Sequence, residues 1–209
     1  TRTIEERINI ALAKKTAVTI MGPRQVGKST LAYSIIPKDA KVLEINGDNT
    51  DVQTMFVNVD EAKMKILIGN NNFLFVDEAQ KIENVGNMLK IVAEKFKDVK
   101  IIVTGSSAFK LAEAVNESLT GRKREFKLYP LSFKEMADDT SVLEESRMID
   151  HRLIYGYYPE VVTSVGDEKE VLKELIDSYL YKDVMEENNI AKPDKLVKLV
   201  QALAFQIGS

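Results

Sequence analysis

The sequence predicts an α/β fold in which a mostly parallel, five-stranded sheet lies between helices and is followed by a small helical domain. Short, uninterrupted apolar runs alternate with amphipathic segments in the first part of the chain, which is typical of a parallel sheet covered on both faces. After residue 137 the strong apolar runs stop and only helical periodicity continues. We therefore expect an α/β core over residues 1–137 and a helical domain over residues 138–209.

Five apolar runs are candidates for the strands, and helical patterns separate them. The expected strands are Ala17–Met21, Lys41–Asn46, Phe73–Asp77, Lys100–Thr104 and Glu125–Tyr129. The expected helices are Lys28–Ile36 before Pro37, Asp60–Ile68 before Gly69, the stripe of Val85, Met88, Leu89, Val92, Ala93 and Phe96, and the stripe of Phe109, Ala112, Val115 and Leu119. The strands of such a sheet end at one edge, and ligands bind at that edge.

Two apolar stripes at helical spacing indicate the helices of the second domain. The first stripe is Val171, Leu172, Leu175, Ile176, Tyr179 and Leu180, and the second is Leu196, Leu199, Val200, Leu203 and Ile207. The sequence stops directly after the second stripe, without a polar tail. We therefore expect the helical domain to be truncated at its C-terminal end and the sequence to be a piece of a longer protein.

The composition excludes several classes of protein. With 209 residues, 44% of them apolar and 29% charged, the chain is long enough for a large core. The absence of Cys excludes disulfide scaffolds and thiolate chemistry. The chain has no apolar signal core and no run near the ~18 residues of a membrane span, so we expect a cytoplasmic protein without a membrane partner. The net charge of −3 does not indicate nucleic acid, although a local basic patch leaves that partner open.

Residues 22–29, Gly-Pro-Arg-Gln-Val-Gly-Lys-Ser, match the phosphate-loop pattern G-x-x-x-x-G-K-[ST]. The motif follows an apolar strand and opens a helix, so backbone N–H groups and the helix N-terminus would converge on phosphate oxygens. Lys28 would reach the β- and γ-phosphates and Ser29 would bind Mg²⁺. The sequence therefore predicts a P-loop NTPase. The expected nucleotide-binding residues of this segment are Gly22, Pro23, Arg24, Gln25, Val26, Gly27, Lys28, Ser29 and Thr30.

The third strand ends in two carboxylates, Asp77 and Glu78. Neighbouring strand residues point to opposite sides, so the two cannot have the same role. Asp77 is at the usual position of the carboxylate in the magnesium shell. Glu78 is then placed to activate the water that attacks the γ-phosphate. The alternative is that the pair only caps a turn.

The fourth strand ends in a polar cluster, Thr104-Gly105-Ser106-Ser107, at the same edge. A hydroxyl there, from Thr104 or Ser106, would contact the γ-phosphate or the attacking water. The alternative is that Ser106 or Ser107 caps the helix expected near Ala108, and both roles are compatible.

With these motifs the chain resembles the AAA-type ATPases, and more narrowly the bacterial and archaeal ATP-binding proteins that carry a helical lid and a C-terminal nuclease-like domain. That last domain is absent here. Besides the phosphate loop, the resemblance runs through Val76–Lys81, Thr104–Leu111, Leu119–Arg122, Tyr129–Glu135 and Gly156–Val161. The resemblance covers most of the chain. The phosphate loop and Val76–Lys81 are the motifs that are specific to nucleotide binding.

The resemblance implies an ATP-binding core with Mg²⁺, in which the helical domain acts as a lid and Thr104–Ser107 as the sensor segment. Arg122 matches a family arginine that contacts the γ-phosphate in cis or in trans. The alternative is a solvated basic turn. Pro159 matches a lid proline that approaches the nucleotide, although Tyr157 stands where the family has a second glycine.

The residues thus indicate Mg²⁺-dependent ATP hydrolysis, with Glu78, Lys28 and Arg122 as the catalytic candidates. Hydrolysis would drive or switch a partner protein, a C-terminal domain or a second copy of the chain. The alternative is a regulatory module, open to association with DNA, in which ATP or ADP selects one of two lid arrangements with little turnover. A small-molecule kinase shares the loop but would need an acceptor pocket. The Asn-Lys-x-Asp guanine motif of GTPases is absent.

Overall fold

The computed structural model describes residues 1–14, 17–106, 118–177 and 193–206. The chain divides into two compact units, Thr1–Ile149 and Asp150–Ser209. The division lies beyond the boundary expected after residue 137.

The described residues of the first unit form a parallel sheet of five strands. The strands are β1 (Ala17–Met21), β2 (Val42–Asn46), β3 (Phe73–Asp77), β4 (Lys100–Gly105) and β5 (Lys123–Lys127). Their order is β2-β3-β4-β1-β5, and each neighbouring pair is parallel. The α/β prediction is confirmed. The β5 strand begins and ends two residues earlier than predicted, because its charged Lys123 and Arg124 carry no apolar signal.

Helices and one short turn connect the strands of this unit. They are α1 (Glu5–Lys14), α2 (Lys28–Ile35), α3 (Thr50–Phe56), α4 (Glu61–Ile68), a 3₁₀ turn (Ala79–Lys81), α5 (Val85–Lys95), α6 (Phe133–Asp139) and α7 (Val142–Arg147). Asp60 caps the N-terminus of α4, since its side chain accepts a hydrogen bond from the Lys63 N–H at 2.8 Å. The predicted helix with Phe109, Ala112 and Val115 lies outside the described residues.

Two apolar cores cover the two faces of the sheet, as expected for continuous apolar strands. One core contains residues of α1 and α2 together with Phe75 and Ile102, and the other contains residues of α4 and α5 together with Leu74 and Val103. Side chains alternate along a strand. Asp77 therefore shares the α2 face with Phe75, and Thr104 shares it with Ile102. This alternation directs both polar side chains toward the helix that follows the glycine-rich loop.

The helix α6 belongs to the first unit because Glu135 joins it to the start of the chain. The Glu135 carboxylate accepts hydrogen bonds from the Thr3 N–H at 2.7 Å and from the Ser132 N–H at 2.8 Å. It also pairs with the Arg2 guanidinium at 3.2 Å. A boundary after residue 137 would cut through this helix.

The second unit is helical in its described part. Its helices are α8 (Ile149–Tyr155), α9 (Pro159–Thr163), α10 (Glu168–Ile176) and α11 (Pro193–Gln206). The predicted stripe positions Tyr179, Leu180 and Ile207 lie outside the described residues. On α11, Leu199 and Leu203 are 55% and 52% exposed. Among the described helices, none combines the length and the apolar character needed to cross a bilayer.

Candidate functional site

The loop between β1 and α2 has a left-handed backbone at two positions and a close backbone contact at a third. Gln25 and Gly27 have φ of 53° and 93°, in the left-handed region. At Gly22 a Cβ would lie 2.3 Å from the Leu128 carbonyl oxygen, so only glycine fits there. The Leu31 N–H donates to the Gly27 carbonyl at 2.9 Å, which begins the first turn of α2 directly after the loop. A loop of this shape, followed by a helix N-terminus, provides backbone N–H groups for an anion.

Lys28 brings a buried positive charge to this loop. The residue is 4% exposed. Its Nζ donates to the Pro23 carbonyl at 2.8 Å and lies 3.9 Å from Glu78 Oε1. A buried ammonium group is stable only with acceptors or opposite charge around it. The ammonium group therefore lies between the loop and the end of β3, where a bound anion would meet it.

Asp77 connects α2, β3 and β4 through two hydroxyl groups. Ser29 Oγ donates to Asp77 Oδ2 at 2.8 Å, and Thr104 Oγ1 donates to Asp77 Oδ1. The Glu78 N–H in turn donates to Thr104 Oγ1 at 3.3 Å. Both oxygens of the carboxylate are thus held in fixed directions, because charged acceptors form strong hydrogen bonds.

Glu78 has an uncommon backbone conformation, with φ of 46°. A non-glycine residue in this region costs energy, and such residues cluster at functional sites. The end of β2 packs tightly against it: the Gly47 N–H donates to the Asp77 carbonyl at 2.8 Å, and a Cβ on Gly47 would lie 2.3 Å from the Glu78 carbonyl oxygen. The Glu78 side chain is 17% exposed. The strand end therefore presents a partly exposed carboxylate beside Lys28.

The oxygen donors of Ser29 and Asp77 fit a magnesium ion. Mg²⁺ binds oxygen at about 2.1 Å in an octahedron, so neighbouring ligands lie about 3 Å apart. The 2.8 Å between Ser29 Oγ and Asp77 Oδ2 is close to that spacing. Within the described ranges no group of three or more His, Cys, Asp or Glu residues surrounds a metal position. A small protein donor set is what Mg²⁺ uses when substrate phosphates and water complete the shell.

The predicted residues of the loop, Gly22 to Thr30, lie in and just after the turn, next to Asp77 and Glu78. Val26 is fully buried, so its side chain is not available to a ligand. The side chains of Gln25 and Thr30 are exposed. The structure therefore groups Gly22–Thr30, Asp77 and Glu78 at the carboxyl edge of the sheet.

Thr104 and Ser106 differ from each other in position. Thr104 is fully buried, and its hydroxyl is bound to Asp77 and to the Glu78 N–H. The side chain thus contacts both acidic residues, and the expected contact of Thr104 with a nucleotide stays a prediction. Ser106 is partly exposed and accepts a hydrogen bond from Gln80 Nε2 at 2.8 Å. Ser107 lies outside the described residues.

Arg122 lies at the opposite edge of the sheet. Its carbonyl accepts a hydrogen bond from the N–H of Ala17, the first residue of β1, at 3.1 Å. Its guanidinium pairs with Glu94 at 3.1 Å. The five residues of β1 span about 16 Å between this edge and the loop. This distance is longer than an arginine side chain, which favours a contact in trans, and the contact of Arg122 with a phosphate stays a prediction.

Pro159 lies in the second unit and begins α9 after the residue Tyr158. Its contact with a nucleotide stays a prediction.

The structure adds residues that the sequence analysis missed. The Gln80 side chain bonds to both Glu78 and Ser106. Arg2 donates to the Val26 carbonyl of the loop at 3.3 Å while pairing with Glu135. Burial acts to raise the pKa of Glu135, but the Thr3 and Ser132 N–H groups and Arg2 outweigh it, so the pKa lies below its usual value. The only sequence signal for this pair is the Ser132-x-x-Glu135 capping box.

Comparison with protein families gives two matches. The family described as AAA domain matches residues 14–137, which is more than half of the chain. A domain of unknown function (DUF8612) matches residues 146–209.

Curated relatives share sequence with more than half of this chain. The uncharacterized protein MJ1544 of Methanocaldococcus jannaschii is 29% identical over 207 residues, which cover 90% of this chain and 46% of that protein. An uncharacterized protein of Haemophilus influenzae is 30% identical over 141 residues, which cover 65% of this chain and 35% of that protein. The chain thus spans less than half the length of these relatives.

Solved structures share the fold at low sequence identity. The Walker-type ATPase PABY2304 of Pyrococcus abyssi has a TM-score of 0.58 and 16% identity, with 85% of this chain and 71% of that chain covered. The signal transduction ATPase with numerous domains PH0952 of Pyrococcus horikoshii, which has a tetratricopeptide repeat sensor, has a TM-score of 0.54 and 14% identity, with 83% and 32% covered. The fold is that of P-loop ATPases.

Proposed function

Because the chain belongs to the AAA domain family, we propose that it binds ATP together with Mg²⁺ and hydrolyses the bond between the β- and γ-phosphates. The observation that carries this proposal is the hydrogen bond of 2.8 Å between Ser29 and Asp77 beside the glycine-rich loop. A hydroxyl and a carboxylate at this spacing support the proposal, because a phosphate-bound magnesium ion uses such oxygen ligands.

The proposed roles follow from the charges and positions of the residues. The loop backbone from Gly22 to Gly27 would donate its N–H groups to phosphate oxygens. The Lys28 ammonium group would move from the Pro23 carbonyl to the β- and γ-phosphates, and Glu78 would accept the proton of the attacking water. The metal, when bound, supplies neutralisation of the phosphate charge. Ser29 and Asp77 would hold it.

Adenine as the base rests on the family and on the absence of the Asn-Lys-x-Asp motif. The helical second unit would act as the lid, with Pro159 facing the nucleotide. Whether turnover drives a C-terminal domain, a partner protein or a second copy of the chain depends on the whole protein, since this chain covers only 46% of its relative MJ1544.

Thermal unfolding tests the binding step. A ligand at a thousand times its Kd stabilises a protein by about 4 kcal/mol, or roughly 8–16 °C for this size. We expect Mg·ATP and Mg·ADP to raise the melting temperature, Mg·GTP to raise it less, and Lys28→Ala to remove the effect. Lys90→Ala, a change of an exposed lysine on α5, is the control and should keep it. Binding that survives Lys28→Ala unchanged would overturn the proposal.

The alternative of a nucleotide-dependent switch with little turnover is supported by the position of Arg122. This chain does not bring that arginine to its own phosphate loop, so an isolated copy would hydrolyse slowly. The measurement that separates the two is the steady-state release of phosphate. A rate that is independent of Glu78 favours the switch.

A further inference from the structure

Gln80 lies on the 3₁₀ turn directly after β3, where its side-chain amide joins the ends of two strands. Gln80 Nε2 donates to Glu78 Oε2 at 2.5 Å and to Ser106 Oγ at 2.8 Å. A primary amide nitrogen carries two hydrogens. Both are therefore used, one on the carboxylate at the end of β3 and one on the hydroxyl that follows β4.

The hydrogen bond from Gln80 opposes the attraction between Glu78 and Lys28. Glu78 Oε1 lies 3.9 Å from Lys28 Nζ, which is longer than a direct hydrogen bond. In a partly buried site a carboxylate is drawn strongly toward an ammonium group. The amide holds the other oxygen of Glu78, so the carboxylate does not close onto the lysine that the phosphates would need.

The chemistry of an amide suits this task. A neutral donor orients a carboxylate without adding a second positive charge that would compete with Lys28 for an anion. The amide oxygen of Gln80 is buried and has no hydrogen-bond partner among the described residues. A buried oxygen without a partner costs stability. The side chain therefore satisfies Glu78 and Ser106 and leaves its own acceptor unsatisfied.

We propose that Gln80 is a positioning residue that sets the direction of the Glu78 carboxylate and couples it to Ser106. This inference rests on the proposed function, because it assigns the geometry of the group that would accept the proton from water. Gln80 itself forms and breaks no covalent bond. Since one NH₂ group serves both partners, a displacement of the Ser106 hydroxyl changes the direction of Glu78.

The test measures turnover and nucleotide affinity separately in Gln80→Leu. We expect kcat to fall about 10- to 100-fold while the Kd for Mg·ATP changes less than twofold. In the Glu78→Gln background, Gln80→Leu should have no further effect, because its partner is already gone. Gln201→Leu, a change of an exposed glutamine on α11, is the matched control. An unchanged kcat, or an equal loss in both backgrounds, overturns the inference.

Ser106→Ala provides a second variant if Gln80→Leu does not fold. It frees one hydrogen of the amide, so we expect a smaller fall in kcat and no additional fall when it is combined with Glu78→Gln. The side-chain NH₂ resonances of Gln80 in a ¹H–¹⁵N spectrum should move in Ser106→Ala and in Glu78→Gln. Resonances that stay in place in these two variants overturn the inference. If the wild-type chain does not bind ATP, or if its turnover does not depend on Glu78, the proposed function itself is refuted.

Discussion

Ser29 Oγ donates a hydrogen bond to Asp77 Oδ2 at 2.8 Å, across the space between the first turn of α2 and the end of β3. Thr104 binds the other carboxylate oxygen from β4. Side chains from α2, β3 and β4 therefore meet at one carboxylate, and these hydrogen bonds hold Asp77 in position.

The first prediction concerns magnesium. Asp77→Asn keeps the size of the side chain but removes its negative charge, so the affinity of the nucleotide-loaded site for Mg²⁺ should fall about 10- to 100-fold. A titration of ATP binding with Mg²⁺ measures this change. The control is Asp98→Asn, which changes an exposed aspartate just before β4, at the edge of the sheet opposite to the loop. An Asp77→Asn variant with the metal dependence of the wild type would refute the magnesium assignment.

The second prediction concerns Gly47 and Glu78. In Gly47→Ala the new Cβ would lie 2.3 Å from the Glu78 carbonyl oxygen, so the backbone at Glu78 must shift. We expect a loss of about 1–3 kcal/mol in the free energy of unfolding and a fall in phosphate release. The control is Gly166→Ala, where φ is 98° and no atom lies within 4 Å of the Cβ. It should lose stability through backbone strain but keep turnover per folded molecule, and equal loss of turnover in both would contradict the account.

The third prediction concerns pH. Hydrogen bonds from Thr3 and Ser132 and the charge of Arg2 outweigh burial and hold the pKa of Glu135 below its usual value of 4.5. A depressed pKa in the folded state means that the stabilisation is complete above about pH 4.5 and is lost as the pH falls through the folded-state pKa. Glu135→Gln should therefore cost about 1–3 kcal/mol of unfolding free energy at pH 7 and progressively less below pH 4.5.

Chemical denaturation at a series of pH values gives this difference directly. Glu83→Gln changes an exposed carboxylate and should show no such trend. A cost of Glu135→Gln that stays constant down to pH 3 would show that the charge of Glu135 is not what stabilises α6 against the N-terminal segment.

The fourth prediction concerns Arg122. Since it lies at the amino edge of the sheet, any contact with a phosphate would come from a second copy of the chain. Arg122→Ala should then bind ATP but lower turnover at least 10-fold, and Lys28→Ala should not bind. Mixing the two variants should restore part of the turnover, because one copy supplies the loop and the other the arginine. Arg124→Ala is the control, and full turnover in Arg122→Ala indicates a solvated basic turn.

The sheet was predictable because its central strands β1, β3 and β4 are buried on both faces and therefore form apolar runs. The run from Leu74 to Val76 is fully buried. A short apolar run without polar interruption is typical of a central strand of a parallel sheet. The phosphate loop was predictable for another reason: its glycines and its lysine have fixed spacing set by backbone geometry. Both signals are local in sequence.

The remaining features depend on contacts between distant segments. Arg2 and Glu135 meet across 133 positions, and no spacing rule connects them, so the contact of α6 with the start of the chain was not predictable. The hydrogen bond of the Thr104 hydroxyl to Asp77 was not predicted either, because it depends on the pairing of β3 with β4. Gln80 gave no signal, because its role depends on the left-handed conformation of Glu78 and on the side-chain rotamer.

Phosphate release by the wild-type chain and by Glu78→Gln, measured at saturating Mg·ATP with binding checked in parallel, tests the central claim most directly. Glutamine keeps the shape of the side chain but cannot accept a proton from water. The account predicts that Glu78→Gln binds ATP as tightly as the wild type and that its turnover falls about 100-fold or more. Equal turnover in the two proteins would contradict hydrolysis at this site.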